Sequence, residues 1–318
     1  MPARVRNFAS HPWVHCLALF RNPRHNRVVK SDHEDPVAAV RAYYEKNTRL
    51  FLALGIGRQT LALRRAVWAD GVETLPQAVN YVNCLVAEEA RRRVAAIGGE
   101  ELRVLDIGCG VGGSLLFLAH AIDAPLRGIG VTLSPRQAGF ARQQARARGL
   151  SAQCQFLDAD FASMSGAQPF HLAFAIESFV HFPTPAAFFA AAARSLLPGG
   201  RLVLVDDFLA PDHRGRKERD LIRALRQGWL LPALCPVTRA AQCASDHGLR
   251  LVNDRNLSVH LSRMPVHPSL IRGAVRVMRS LPVPWQYWRS TTGSLASAGC
   301  QRERLIEYHC VVFDKPAG

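Results

Sequence analysis

Apolar residues along this chain recur in two rhythms, and the rhythm changes near residue 102. From Pro36 to Ile97 the spacing is helical: VAAVRAYYEKNTRLFLALG carries Val37, Val40, Tyr44, Leu50 and Leu54. LPQAVNYVNCLVAEEARRRVAAIGG then carries Val79, Val82, Val86 and Val94 before a Gly98-Gly99 stop. From Leu102 onward short apolar runs alternate with helix-length ones. LRVLDIG, LRGIGVTL, AQCQFLDAD, HLAFAIE and RLVLVDDF read as strands, and GGSLLFLAHAI, SPRQAGFARQQARARGL and TPAAFFAAAARSLL as helices between them. Alternation of this length predicts an α/β fold with a parallel, doubly wound sheet. Past Phe208 it breaks up. Residues 210–248 are polar, then helical; LRLVNDRNLSV is a sixth strand, 260–300 an insertion containing Pro and Trp, and LIEYHCVVFD a closing seventh strand.

The punctuation agrees with these elements. Ser134 is expected to cap the helix that follows it, with Pro135 at its first position, Gln137 completing a capping box and Gly149 ending it. Thr184 and Pro185 open the next helix in the same way. Four segments follow: a mobile arm at 1–35, a helical cover at 36–98, a ligand-binding core at 99–208, and at 209–318 a substrate-covering insertion with the last two strands.

Composition narrows the class. With 48% hydrophobic and 20% charged residues the chain is globular. Apolar runs such as LLFLA at 115–119 fall far short of the roughly 20 residues that cross a bilayer, so no transmembrane segment is expected. The first 25 residues lack the pattern of a cleaved leader, and the eight cysteines form no CxxC pair; both point to the cytoplasm. His11, His15 and Cys16 lack a fourth ligand, so no metal site is expected. The net charge of +15 fits nucleic acid, an anionic membrane or an anionic small molecule. However, 36 of the 40 basic residues are arginines spread over the whole chain, and no aromatic-interleaved RNA motif is present. The charge therefore supports an anionic ligand rather than nucleic acid, and a homo-oligomer is compatible with it.

Between the first strand and its helix stands Asp106-Ile-Gly108-Cys-Gly110-Val-Gly112-Gly113, where bare backbone can approach a ligand. Gly108, Gly110 and Gly113 satisfy the dinucleotide pattern GxGxxG. A dinucleotide site also wants an acid about 20 residues on, at the end of the second strand. Thr132 stands there instead, in Gly130-Val131-Thr132-Leu133. Asp106, next to the glycines, would repel a phosphate and attract a cation.

LDIGCGVGG, GVTLSPRQ, FLDAD, AIES and LLPGGRLVLVD, in this order and spacing, resemble the S-adenosylmethionine-dependent methyltransferases of the Rossmann-like class over about residues 100–208. The resemblance implies S-adenosylmethionine as cofactor, with Asp106, Gly108, Gly110 and Gly112 on its methionine side, Gln137 near the ribose and Asp158 near the adenine. Thr132, where most such enzymes carry an acid, is similar to the lipid and isoprenoid branch, which holds cyclopropane-fatty-acid synthases and tocopherol methyltransferases. Tyr43-Tyr44 with Gly55 and Gly57 resembles the sterol and isoprenoid carbon methyltransferases, where a YY segment helps cover the cofactor.

Glu177 ends a strand that otherwise reads HLAFAI, so its carboxylate emerges at the edge where open α/β sheets bind ligands. It reads as a catalytic acid or base, or as a plain surface or capping glutamate. His181 reads as a base or as a ring packed between Phe179 and Phe182. The ESxEH stretch of tocopherol-type enzymes is matched at Glu177, Ser178 and His181 but not at Val180, where cyclopropane synthases keep a glutamate. A cyclopropane synthase is therefore disfavoured. Tyr43, Tyr44 and Phe179 are the expected substrate contacts. The leading expectation is carbon methylation of a hydrophobic, anionic isoprenoid alkene such as a prenyl diphosphate. Glu177 would remove the final proton, and Mg2+ would share the charge if the acceptor is a diphosphate. Oxygen or nitrogen methylation of a small natural product is the second expectation, and a non-catalytic, cofactor-binding partner subunit the third.

Overall fold

Seven strands form one sheet: β1 (Leu102–Ile107), β2 (Leu126–Thr132), β3 (Cys154–Asp158), β4 (Phe170–Ile176), β5 (Leu196–Leu209), β6 (Arg250–Asn256) and β7 (Ile306–Asp314). They pair in the order β3-β2-β1-β4-β5-β7-β6, the first five parallel and β7 antiparallel to both its neighbours. This is the doubly wound, mostly parallel sheet that the alternation predicts, closed by the antiparallel β7. The computed structural model describes residues 64–164, 169–211, 215–262, 266–280 and 286–317, with residue 61 and positions 38, 40–42 and 45. The arm at 1–35, Tyr43, Tyr44, Gly55 and Gly57 lie outside the described residues.

Helices α1 (Leu75–Ala96), α2 (Gly113–Ala121) and α3 (Pro135–Ala147) serve the first half of the chain. The second half supplies α4 (Pro185–Ser195), α5 (Arg216–Trp229), α6 (Val237–Asp246), α7 (Pro268–Ser280) and α8 (Gln286–Arg302). Both faces of the central strands are dry. Along β5, Leu202, Leu204 and Phe208 join one buried cluster with Phe188 and Phe189 of α4, while Val203 and Val205 join another with Val82 and Val86 of α1. An interior parallel strand must be apolar on both sides, and each such side chain contributes about 1.5–3 kcal/mol by leaving water. Among the described residues no helix is long and apolar enough to cross a membrane.

Two details differ from the sequence reading. Ser134 does cap α3, accepting from the Gln137 amide at 3.2 Å, but the Gln137 side chain does not complete a box. Its Oε1 accepts instead from the Thr132 hydroxyl at 2.7 Å, because that strand end is within reach and buried. The helix expected over TPAAFFAAAARSLL ends at Ser195; Leu196 pairs with Phe170 instead, and Pro198-Gly199-Gly200 becomes an irregularity inside β5. The 260–300 insertion is two helices, α7 and α8. A Cβ on Gly228 would lie 2.5 Å from the Gly293 Cα, so only glycine lets α5 and α8 cross this closely.

Candidate functional site

The ends of β1, β2, β3 and β4 share one edge of the sheet, and register places Thr132 opposite Asp158 and Ile107 opposite Val131. Strand order reverses beside β1, where such sheets bind their ligands. The glycine turn follows directly. Gly108, Gly110 and Gly112 have φ of +78°, +53° and +86°, values that side chains rarely adopt. Their roles differ. A Cβ on Gly108 would meet the Ser178 Cβ at 2.3 Å, and one on Gly112 the Phe156 ring at 2.8 Å; one on Gly110 would meet nothing within 4 Å. Two glycines thus let the turn pack onto its own protein, and Gly110 leaves backbone facing open space.

Asp106 lies beneath this turn, buried, with Oδ2 lacking a hydrogen-bond partner. Burial pushes its carboxyl up to about 7 against the pull of the nearby Arg64 guanidinium and a bond from the Leu115 amide. Arg64 itself donates to Asn83 Oδ1 (2.7 Å) and to Ser114 Oγ (3.0 Å), tying the segment before α1 to α2. The open backbone at Gly110 and the orphaned carboxylate oxygen fit the methionine half of S-adenosylmethionine, a ligand carrying an ammonium and a sulfonium. Thr132 and Gln137 are buried together. Asp158 is exposed and ion-paired with Arg142 at 2.6 Å, which holds its carboxyl below the usual range. Glu45, adjoining the undescribed Tyr43-Tyr44, accepts from the Ser134 hydroxyl and pairs with Arg136 at 3.4 Å.

Glu177 has φ +51°, left-handed for a non-glycine residue. Such backbone costs about 1–3 kcal/mol and persists where surroundings enforce it. The enforcement is visible: its amide donates to Val205 O (2.8 Å), and the next residue's hydroxyl, Ser178 Oγ, donates to Ile107 O (2.6 Å). Glu177 Oε1 accepts from the Tyr308 hydroxyl and from the Arg65 amide, both at 2.9 Å. Burial raises its carboxyl above the ordinary 4.5, opposed first by the charge of Arg65. A half-buried carboxylate so placed, held at the sheet edge with its carboxyl raised by burial, has the position of a proton acceptor.

His181 Nδ1 lies 3.0 Å from Leu230 O, which fixes that nitrogen as the donor, and burial pulls the imidazole down to about 4. Phe179 corrects an expectation. It is fully buried, its ring 5.0 Å from Phe188, 5.7 Å from Phe189 and 5.9 Å from Phe208. The one-turn helix after Glu177 turns it into the core, so it is a packing residue rather than a substrate contact. The neighbouring Val180 amide donates to the buried Asp206 at 3.2 Å.

Sequence reasoning missed the other members. Arg65 pairs with Asp207, donates to Ser297 Oγ (3.2 Å), and lies 5.7 Å from the Tyr308 ring and 5.9 Å from the Trp229 ring. Only the doublet Asp206-Asp207, two acids closing the apolar run RLVLV, could have announced this cluster.

Residues 104–200 match a family model described as a methyltransferase domain. The chain is 30% identical over 202 residues to the chloroplastic tocopherol O-methyltransferase of Arabidopsis thaliana, covering 59% of this chain and 56% of that protein. It is 28% identical over 170 residues to the sterol 24-C-methyltransferase ERG6A of Gibberella zeae, covering 52% and 43%. The chain spans about half the length of the curated relatives it matches. A geranyl diphosphate methyltransferase, solved with GPP and sinefungin, shares the fold at TM-score 0.67 and 16% identity over 88% of this chain and 100% of that one.

Proposed function

We propose, on the match of residues 104–200 to a methyltransferase-domain model, that the chain is an S-adenosylmethionine-dependent methyltransferase of a hydrophobic isoprenoid acceptor, methylating an alkene carbon. The observation that carries this reading is Glu177, held in left-handed backbone at the end of β4 with its carboxyl raised by burial. When bound, S-adenosylmethionine supplies an electrophilic methyl group. An alkene acceptor then bears a carbocation, which needs nearby negative charge and one base. Glu177 supplies both, taking the proton from the carbon adjacent to the cation. Tyr308 and the Arg65 amide hold its Oε1 in place. His181, neutral and bonded to Leu230, is too weakly basic and serves to position the turn.

Gly110 backbone and Asp106 would hold the methionine half of the cofactor, Thr132 and Gln137 would stand at the ribose, and Asp158 at the adenine. Tyr43 and Tyr44 would contact the acceptor, and a cytoplasmic location belongs to the same reading. A second reading, methylation of a phenolic oxygen, is favoured by the likeness to tocopherol O-methyltransferase; there Glu177 would deprotonate the hydroxyl before transfer. Methyl-labelled cofactor offered in parallel with prenyl diphosphates, with and without Mg2+, sterols and phenols tests both. Product heavier by one methylene unit, with deuterium lost from the neighbouring carbon, supports the first reading. Label on a phenolic oxygen with inert alkenes supports the second. Cofactor binding with no turnover on any class would favour a non-catalytic partner subunit.

A further inference from the structure

The edge strand β6 is held without a core of its own. It closes the sheet beside β7, and all seven of its residues, Arg250–Asn256, are exposed, so apolar burial contributes little to keeping it in place. Its end nevertheless grips the strand that serves Glu177. The Leu257 amide donates to Tyr308 O at 2.7 Å and the Tyr308 amide to Ser258 Oγ at 2.8 Å, while the Tyr308 hydroxyl reaches Glu177. One residue on, His309 is buried and stands between two acids. Its Nδ1 lies 2.6 Å from Asp254 Oδ1 of β6 and its Nε2 3.2 Å from Glu307 Oε2 of β7. A neutral imidazole has one N–H and one lone pair, so it donates to one of these acids and turns its lone pair on the other. Only the imidazolium satisfies both.

We propose that His309 is a pH-sensitive latch: protonated, it ties β6 to β7 through Asp254 and Glu307 and keeps the backbone of Tyr308 between Leu257 and Ser258; deprotonated, it lets the edge strand open. Burial works against the charged ring, but the hydrogen bond and charge of Asp254, then those of Glu307, outweigh it and raise His309 above the ordinary 6.5. A third acid faces it from β5. Asp206 lies opposite His309 in register, its oxygens taken by the Val180 and Asp207 amides, and burial pushes its own carboxyl well above the usual range. On the helical side Cys235, ahead of α6, feels Asp206 and Arg239, but its thiol, pushed up to about 12, stays neutral. Arg255 and Asp207 project to the other face of the sheet, onto Tyr81 and Arg65. A group raised on folding contributes stability that is complete below its unfolded value, here 6.5, and is lost as pH rises through its folded one. The latch is therefore closed in mild acid and opens toward alkaline pH. It goes beyond the methyltransferase reading and does not rest on it.

The test follows the full chain from about pH 5.5 to about pH 9.5, a range that brackets the imidazole on both sides. One readout is NMR titration of the His309 ring, assigned by its loss in His309→Gln or its displacement in Glu307→Gln. The other is hydrogen exchange of the Leu257 amide, corrected for the intrinsic pH dependence of exchange. The ring is expected to titrate above 6.5. Leu257 protection should fall over the same range, about tenfold for each unit by which the closed ring exceeds the open one, while Leu204 in the centre of β5 keeps its protection. His309→Gln, which never carries the charge, should show the low protection at every pH. Glu307→Gln should bring the ring back toward 6.5 and shrink the step, and with the wild-type titration it decides the matter if His309→Gln does not fold. A ring titrating at or below 6.5, a Leu257 protection that stays level while the ring titrates, or an equal step in His309→Gln would each overturn the proposal.

Discussion

The two halves of the sheet edge are built from different materials. On the β1–β3 side the site is backbone: a glycine turn with positive φ, Gly110 facing open space, and an acid beneath it. On the β4–β5–β7 side it is side chain: Arg65, Glu177, Asp207, Trp229, Ser297 and Tyr308 meet across more than two hundred residues of sequence. A backbone cradle needs only a local turn, so one short motif specifies it. A charged cluster needs each partner delivered by a separate element, and it tolerates little error because every unpaired buried charge costs several kcal/mol.

The sharpest way to break this contrast is Glu177→Gln. Turnover of the acceptor, once found, should fall by a factor of about 100–10,000, while S-adenosylhomocysteine affinity measured by calorimetry stays within about twofold. A parallel loss of cofactor affinity would mean that the two halves are not separate. Within the backbone half, Gly112→Val should cost about 3 kcal/mol in denaturant unfolding, since its side chain must displace the Phe156 ring in a left-handed conformation. Gly110→Val should leave the fold standing by circular dichroism and lose cofactor affinity instead. If both variants merely unfold, the distinction between packing glycines and a ligand-facing glycine is wrong.

Tyr308→Phe probes the side-chain half more gently, removing one hydrogen bond worth about 1 kcal/mol. That bond favours the ionised Glu177, so its loss raises the carboxyl further. The acid limb of the pH–rate profile, already expected above the ordinary 4.5 because turnover needs the carboxylate, should move to higher pH. A shift to lower pH would contradict the hydrogen bond. Asp158→Asn is the mildest change. Its pair with Arg142 is solvent-exposed, so stability should change by no more than a few tenths of a kcal/mol, read as a Tm within about 2 °C of wild type. A larger drop would show that the exposed end of β3 carries more of the fold than its burial implies.

Legibility in the sequence follows the same division. The strand and helix order through Phe208, the caps at Ser134 and Thr184 and the glycine turn were readable because periodicity, caps and turn chemistry act over a few residues. Glu177 was readable by its place at a strand end. Phe179 and Gln137 were misread in detail, since which way a side chain turns after a strand depends on what has been packed against it: an aromatic cluster for the one and Thr132 for the other.

By itself the sequence determined the doubly wound sheet, the glycine turn after β1 and the position of the acid at the sheet edge, because hydrophobic rhythm and glycine spacing are local and survive without knowledge of partners. Only the tertiary structure decided that Arg65 reaches Asp207, that Tyr308 returns from the last strand to hold Glu177, and that α5 and α8 bring Trp229 and Ser297 to the same cation. These contacts join segments that no periodicity links. Their energies depend on burial, which exists only once the antiparallel β7 has been laid beside β5 and the helices have closed over it.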